Sequence, residues 1–329
     1  MTWLVWRQYR AQGAIAFALL AAITAVLLAD GFQLASHWHS MLAICSGHSA
    51  CLHQQPPLAS VITPSDMFLL GLIVPAVLGM LWGAPLVAHE LESRTSDFAW
   101  TQSLTRTRWL TVKAGWLLLA AAACGGVVAA LTTWWSGPVN ALQADAFVPG
   151  QFDTQGIVPI GYAVFAMALG IAAGTVARRT LPAIAVVLGG FIGLRLLISD
   201  FLRQHYMTAV TTYYHVTSSF TPPGQAWILA QGAVSKTGVV VAQVGQGWGD
   251  LYPALPASCR RFLPTVPTAR SASLNAVLSC MRAHGWRGFA TYQPASRYWP
   301  FQGIETGIYV LLAAALIAVT FAIVRRRDA

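Results

Sequence analysis

Six stretches of this chain run for about 20 residues each with almost no charge, the length an α-helix needs to cross the hydrocarbon of a bilayer. Inside that layer no water satisfies backbone N–H and C=O groups, so each stretch has to be helical and the stretches have to bundle. Only 9% of the 329 residues are charged and 56% are hydrophobic, whereas soluble domains carry roughly a quarter charged residues. The fold class expected is an all-α polytopic membrane protein. Its spans fall at about 13–29, 67–88, 110–133, 158–177, 181–200 and 304–324.

Residues 201–303 are too polar for the membrane and too mixed in composition for a linker. Residues 271–284 read as a short helix closed by Gly285, and TGVVVAQV from Thr237 reads as a strand. A small α+β domain is therefore expected between spans five and six, dividing the chain into 1–200, 201–303 and 304–329.

Orientation follows from the short connections. Arg7 and Arg10, the insert 89–109, Arg178 with Arg179, and Arg325 to Arg327 carry cations, while the loops 31–66 and 134–157 carry none. The positive-inside rule then places both termini in the cytoplasm and the domain 201–303 outside the cell. Its own cations do not outvote the short loops, because segments longer than roughly 60 residues cross largely regardless of charge. The net charge of +9 reflects these flanking arginines and does not form the single basic face that nucleic acid requires. Trp3 and Trp6 beside Arg7 and Arg10 read as an interfacial helix, and Trp134 and Trp135 as interface anchors. Ser65 and Asp66 suit a helix start, and Pro75 and Pro85 should distort span two.

Cys45 and Cys51 occupy a loop assigned to the oxidising side, where a disulfide is the preferred reading. His37, His39, His48 and His53 surround them with ligand types suited to zinc or copper, although the spacing fits no metal template. Cys259 and Cys280 form a second candidate pair, worth roughly 3 kcal/mol in the chain-entropy picture. Cys124 reads as a packing residue inside span three. The pairs Gly79 and Gly83, Gly170 and Gly174, and Gly189 and Gly193 would each permit close helix contact. Arg195 stands out as the ionisable side chain deep in a span. It either snorkels to the outer surface near Asp200 or faces a polar cavity and pairs with Glu305 at the start of span six.

Several classes of chemistry lack their residues. Away from their ends, where Asp200 and Glu305 stand, the expected spans carry no Asp, Glu or His to move a proton or hold sodium. No phosphate-binding GxxxxGK[ST] is present, and HELES at 89–93 has Ser93 where a metalloprotease helix needs its second His. No serine elbow appears either. The reading is a non-enzyme with no catalytic, cofactor or metal residues and no energy source of its own. An alternative is a membrane receptor or scaffold with an external ligand-binding domain.

The insert between spans two and three carries the densest charge: Glu90, Glu92, Arg94, Asp97, Arg106, Arg108 and Lys113. Glu90 and Arg94 stand one turn apart in the favourable order for a surface helix. This insert, with MTWLVWRQYRAQ at the start and YQPASRYWPFQGIETG before span six, resembles the ABC-2 type permeases, membrane subunits of ATP-binding cassette exporters, and actinobacterial members above all. The resemblance implies that the insert is the coupling helix, with Glu90 and Glu92 matching the family's paired glutamates. Where the family commonly has Gly before Thr, this chain has Arg94 before Thr95. It also implies a cytosolic ATPase subunit that carries the ATP and magnesium, a second permease subunit, and a bacterial cell membrane location.

Overall fold

The computed structural model describes residues 2–45, 51, 62, 64–92, 106–142, 147, 149–216, 226–238, 240–242, 255–262 and 272–326. Among them, six helical stretches are long and apolar enough to cross a membrane: Phe17–Cys45, Asp66–Ala88, Thr107–Trp135, Val158–Ala177, Thr180–His205 and Ala295–Arg326. The chain divides into two compact units. The first contains Met1–Gln143, Val148–Tyr206 and Trp299–Ala329, and the second Ala144–Phe147 and Met207–Tyr298.

The first span departs from expectation. In place of an interfacial helix, a span ending at Ala29 and a polar loop, α1 runs unbroken over Thr2–Cys45. Asp30 does not stop it, because its side chain is buried and accepts a 2.8 Å hydrogen bond from Trp135 Nε1. A carboxylate with a buried donor no longer needs the aqueous boundary that the sequence reading gave it. His37 and His39 consequently lie on the helix and not in a loop. Trp135 is buried rather than an interface anchor, while Trp134 stays exposed.

Span two is built from α2 (Pro64–Leu78), a π-helical turn (Gly79–Gly83) and α3 (Ala84–Glu92). Pro85 has no N–H to give the carbonyl four residues back. The wide turn just before it absorbs that break, with Ala84 N–H bonding to Gly79 O. Span three is α4 (Arg106–Trp135), which is followed by the short helices α5 (Gly137–Leu142) and α6 (Pro149–Phe152). Span four is α7 (Val158–Ala177), span five begins as α8 (Thr180–Leu197), and the helix numbered α11 (Tyr298–Arg326) forms span six.

α7 is the central post, buried along most of its length. Its contact with span two is a four-glycine interlock. Carbon added at Gly83 would sit 2.7 Å from the Met167 carbonyl oxygen, and at Gly170 it would sit 2.8 Å from Ala84 N. Gly79 and Gly174 approach the Ala166 and Ala84 carbonyl oxygens closer still. Removing side chains from both faces lets two backbones touch and gain dispersion contact that lipid cannot replace. Gly189 and Gly193 have nothing within 4 Å of an added Cβ, so the third pair makes no such contact. Leu78, Leu86, Val87, Leu110, Leu117, Met167 and Ile171 form an apolar core around the interlock.

The second unit holds a four-stranded antiparallel sheet in the order β1 (Val210–His215), β4 (Arg287–Gln293), β2 (Trp227–Val234), β3 (Val240–Ala242). Ser235 to Gly238 form the turn between β2 and β3, so the strand starts three residues later than Thr237. The helix α10 (Ala272–Ala283) packs with Val216, Ala233, Leu255 and Trp286 into a core of its own, and the short helix α9 (Ala257–Arg260) is tied to it through Cys259 and Cys280.

Gly170→Val should force spans two and four apart and lower stability in detergent by about 1–3 kcal/mol, the usual cost of overpacking. Gly193→Val, facing open space, should leave the thermal midpoint near that of the wild type; equal losses at both positions would contradict the interlock.

Candidate functional site

Where α7 begins, the first unit encloses four charged side chains that water does not reach. Arg195 and Arg203 are each 1% exposed, and Asp153 and Glu305 are 0% exposed. Two cations and two anions make the cluster neutral as a whole, the condition under which ions tolerate a dry interior.

Each member comes from a different piece of chain. Asp153 follows the short helix α6, and Tyr162 lies one turn into α7. Arg195 is near the end of α8, after which the backbone widens into a π-helical turn (Ile198–Leu202) and tightens into a 3₁₀ turn (Arg203–His205). This change of pitch lets Arg195 and Arg203 reach the same carboxylate. Glu305 is in the third turn of α11.

Arg203 is the hub. Its Nε donates to Glu305 Oε2 at 2.9 Å, and its Nη2 reaches Glu305 Oε1 at 2.8 Å and Asp153 Oδ1 at 2.5 Å. Its guanidinium also lies over the Phe152 ring, 4.3 Å from the centroid. Tyr162 donates its hydroxyl to Glu305 Oε1, and Tyr206 donates to Oε2 at 3.2 Å. Burial pushes the Tyr206 phenol well above its ordinary range, which keeps it a donor.

Arg195 is held differently. Its Nη2 is 2.7 Å from Asp153 Oδ2, but the pair lacks hydrogen-bond alignment, and Nε and Nη1 have no partner among the described residues. The guanidinium stacks on the face of Tyr162 at 4.0 Å from the centroid, so charge contact and cation–π attraction together hold it. Neither sequence reading of Arg195 survives intact. It does not snorkel toward Asp200, and its direct partner is Asp153, with Arg203 standing between it and Glu305.

Gln302 fixes the frame. Its Oε1 accepts from the N–H groups of Ile157 and Val158, both at 3.0 Å, while its Nε2 donates to Phe152 O at 2.8 Å. A side chain from α11 thus caps the N-terminus of α7, whose own N-cap residue Ile157 has no side-chain acceptor. Gly156, at φ +68°, is needed beneath it: a Cβ there would lie 2.7 Å from Gln302 Oε1. Thr132 Oγ1 to Thr154 O at 2.5 Å and Asn140 to Gln155 at 2.9 Å tie the same loop back to α4 and α5.

The sequence reading missed Asp153, Tyr162, Arg203 and Gln302. A usable signal existed: Glu305 opens an apolar span and needs a cation, and Arg203 lies two turns beyond Arg195. The expectation of no acid inside a span is also overturned, since Asp30 falls within the first span as the structure bounds it and Glu305, expected at the outer start of span six, is buried in the third turn of α11.

The charged insert is near the other end of α7. α3 runs into the insert and carries Glu90 and Glu92, the latter the last described residue before Arg106, while its Ala84 and Ala88 lie against Gly174. Gly174 follows Tyr162 by twelve residues, about 18 Å along the helix. Arg94 and Asp97 lie outside the described residues. Arg106 opens α4, Arg108 is exposed, and Lys113 is buried with its ammonium 4.4 Å from the Trp109 ring centroid, so that cation belongs to the bundle.

Both cysteine pairs are bonded, with S–S distances of 1.95 Å for Cys45–Cys51 and 2.02 Å for Cys259–Cys280. His48 and His53 lie outside the described residues, and a metal-type grouping occurs instead at Cys259, Cys280 and His284.

Asp153→Leu strands two guanidinium groups beside one carboxylate and should cost about 3–5 kcal/mol in unfolding measured in detergent. The double variant Asp153→Leu, Arg195→Leu leaves the neutral Arg203–Glu305 pair and should be more stable than the single one; simple addition of two losses would show that the pair is not coupled.

A family model described as ABC-2 membrane transporter related matches residues 17–203, more than half of the 329 residues. No curated protein and no solved structure matches the chain. The matched stretch takes in five apolar helices, the glycine interlock and three of the four charges of the buried cluster, ending at Arg203. This multi-pass membrane chain belongs to the ABC-2 membrane transporter related family.

Proposed function

We propose that the chain is the permease subunit of an ATP-driven exporter that moves a hydrophobic, drug-like or lipid-like substrate across the bacterial cell membrane by alternating access. Hydrolysis takes place on a separate cytosolic ATPase that holds the ATP and magnesium, and two permease subunits together form the pathway. Both termini and the insert 89–109 face the cytoplasm, and the unit 207–298 faces outside.

The observation that carries this reading is the continuity of span two into the insert. α3 emerges from the glycine interlock and runs directly to Glu90 and Glu92, so a push on the insert acts on a rigid helix seated against α7. At the far end of α7, Tyr162 holds Glu305 of span six, and Arg203 ties span five to the same carboxylate. Close packing transmits displacement because the interior cannot compress. In this mechanism docking of the ATPase tilts span two and span four together, and the ion cluster makes spans five and six follow. Glu90, Glu92, Arg94, Asp97, Arg106 and Arg108 present the charges that dock the partner.

Purification from native membranes tests the assignment. Wild-type protein should bring down a cassette ATPase, and Glu90→Ala plus Glu92→Ala should release it while the bundle stays folded. Folded wild-type protein that recovers no ATPase would remove the exporter reading and favour the receptor or scaffold.

A further inference from the structure

The second unit contains a cluster that the transport mechanism leaves unused. Sulfur and nitrogen atoms of Cys259, Cys280 and His284 lie within 4.8 Å of one another. His284 Nδ1 is 3.8 Å from both sulfurs of the disulfide. The same nitrogen is 2.9 Å from Cys280 O, and Nε2 is 3.1 Å from Ser258 Oγ. A carbonyl oxygen only accepts, so Nδ1 carries a proton whether the ring is neutral or charged. The ring nitrogen that bears this proton therefore lies beside both sulfurs, with its N–H directed at the carbonyl.

That arrangement is poor for a metal, because Nδ1 is committed to a carbonyl and the sulfurs to each other. It suits a thiolate, which a neighbouring imidazole N–H and positive charge stabilise. The ionisable groups on the surrounding elements have one sign. Arg260 and Arg261 are on or beside α9 and Arg282 is on α10. Arg287 opens β4, and the stem of Lys236 lies against Gly285. Residues 207–298 contain seven Lys and Arg against a single acid, Asp250. Access is asymmetric as well: Cys259 is buried, Cys280 is half-buried and His284 is exposed.

We propose that Cys259, Cys280 and His284 form a thiol–disulfide exchange site for thiol-bearing molecules. An incoming thiolate attacks the accessible Cys280 sulfur and forms a mixed disulfide with it. The Cys259–Cys280 bond breaks, and its electron pair leaves on Cys259 sulfur as a thiolate 3.8 Å from the protonated nitrogen of the His284 ring. A second thiol then attacks the mixed disulfide, so two thiols are oxidised to one disulfide while two cysteines are reduced. Run in reverse, the reduced Cys259 and Cys280 reduce an external disulfide to two thiols and are themselves joined again. His284 acts as a positioning and charge-stabilising residue.

The test uses the full chain in detergent with glutathione as the thiol, followed by alkylation and peptide mapping to separate this pair from Cys45–Cys51 and Cys124. Glutathione should be trapped on Cys280 and not on Cys259 in the folded wild type. After reduction, Cys280 should react with iodoacetamide at about pH 6 roughly tenfold faster than in His284→Ala, whose rate profile moves to higher pH. His284→Gln, which keeps a polar side chain of similar reach without the positive charge, serves if the alanine variant does not fold and should show the same slowing. A disulfide that yields to glutathione only when the unit unfolds, or Cys280 reactivity unchanged by both substitutions, would overturn the proposal.

Discussion

A charge enclosed by helices must find its opposite charge there, and this requirement shapes the heart of the membrane unit. Arg203 would be prohibitively costly to bury alone, as would Glu305. Together with Arg195 and Asp153 they sum to zero, and aromatic faces from Tyr162 and Phe152 cover the guanidinium planes. Satisfying these groups forces the loop before span four, the end of span five and the start of span six to one point. The change of helical pitch between Ile198 and His205 exists in that context: it turns Arg203 toward carboxylates that a regular helix would point it past.

The opposite half of span four is organised by absence of side chains. Gly79, Gly83, Gly170 and Gly174 bring spans two and four into backbone contact, and the π-helical turn ahead of Pro85 accommodates the proline within that contact. α7 is consequently fixed by dispersion at one end and by ions at the other. A closely packed helix held at both ends resists deformation, which is the property the proposed coupling needs.

How far the sequence could be read depends on the range of the interaction concerned. Span four was legible residue for residue, since its bounds depend on local apolarity and on Pro159 at its start. The helix before Gly285 is legible for the same local reasons, and the two disulfides follow from the side of the membrane to which their segments are assigned. Asp30 misled because a charge in sequence signals the end of a span, and only Trp135, 105 positions away, reveals that it is paired inside. Arg195 stands out in the sequence, but its partner Asp153 lies in a loop that carries no signal of the pairing. The three glycine pairs looked alike, and two proved to be one interlock while the third faced open space.

The sequence by itself determined that the chain crosses a membrane, roughly where, and which segments carry the charge, because hydration energy sums over about 20 neighbouring residues and needs no partner. Tertiary structure alone decided which charges are matched, which glycines touch, and that Ser258 lies within reach of His284. Those facts depend on pair distances between residues remote in the chain, and pair energies of a few ångströms' range leave no periodic trace in composition or spacing.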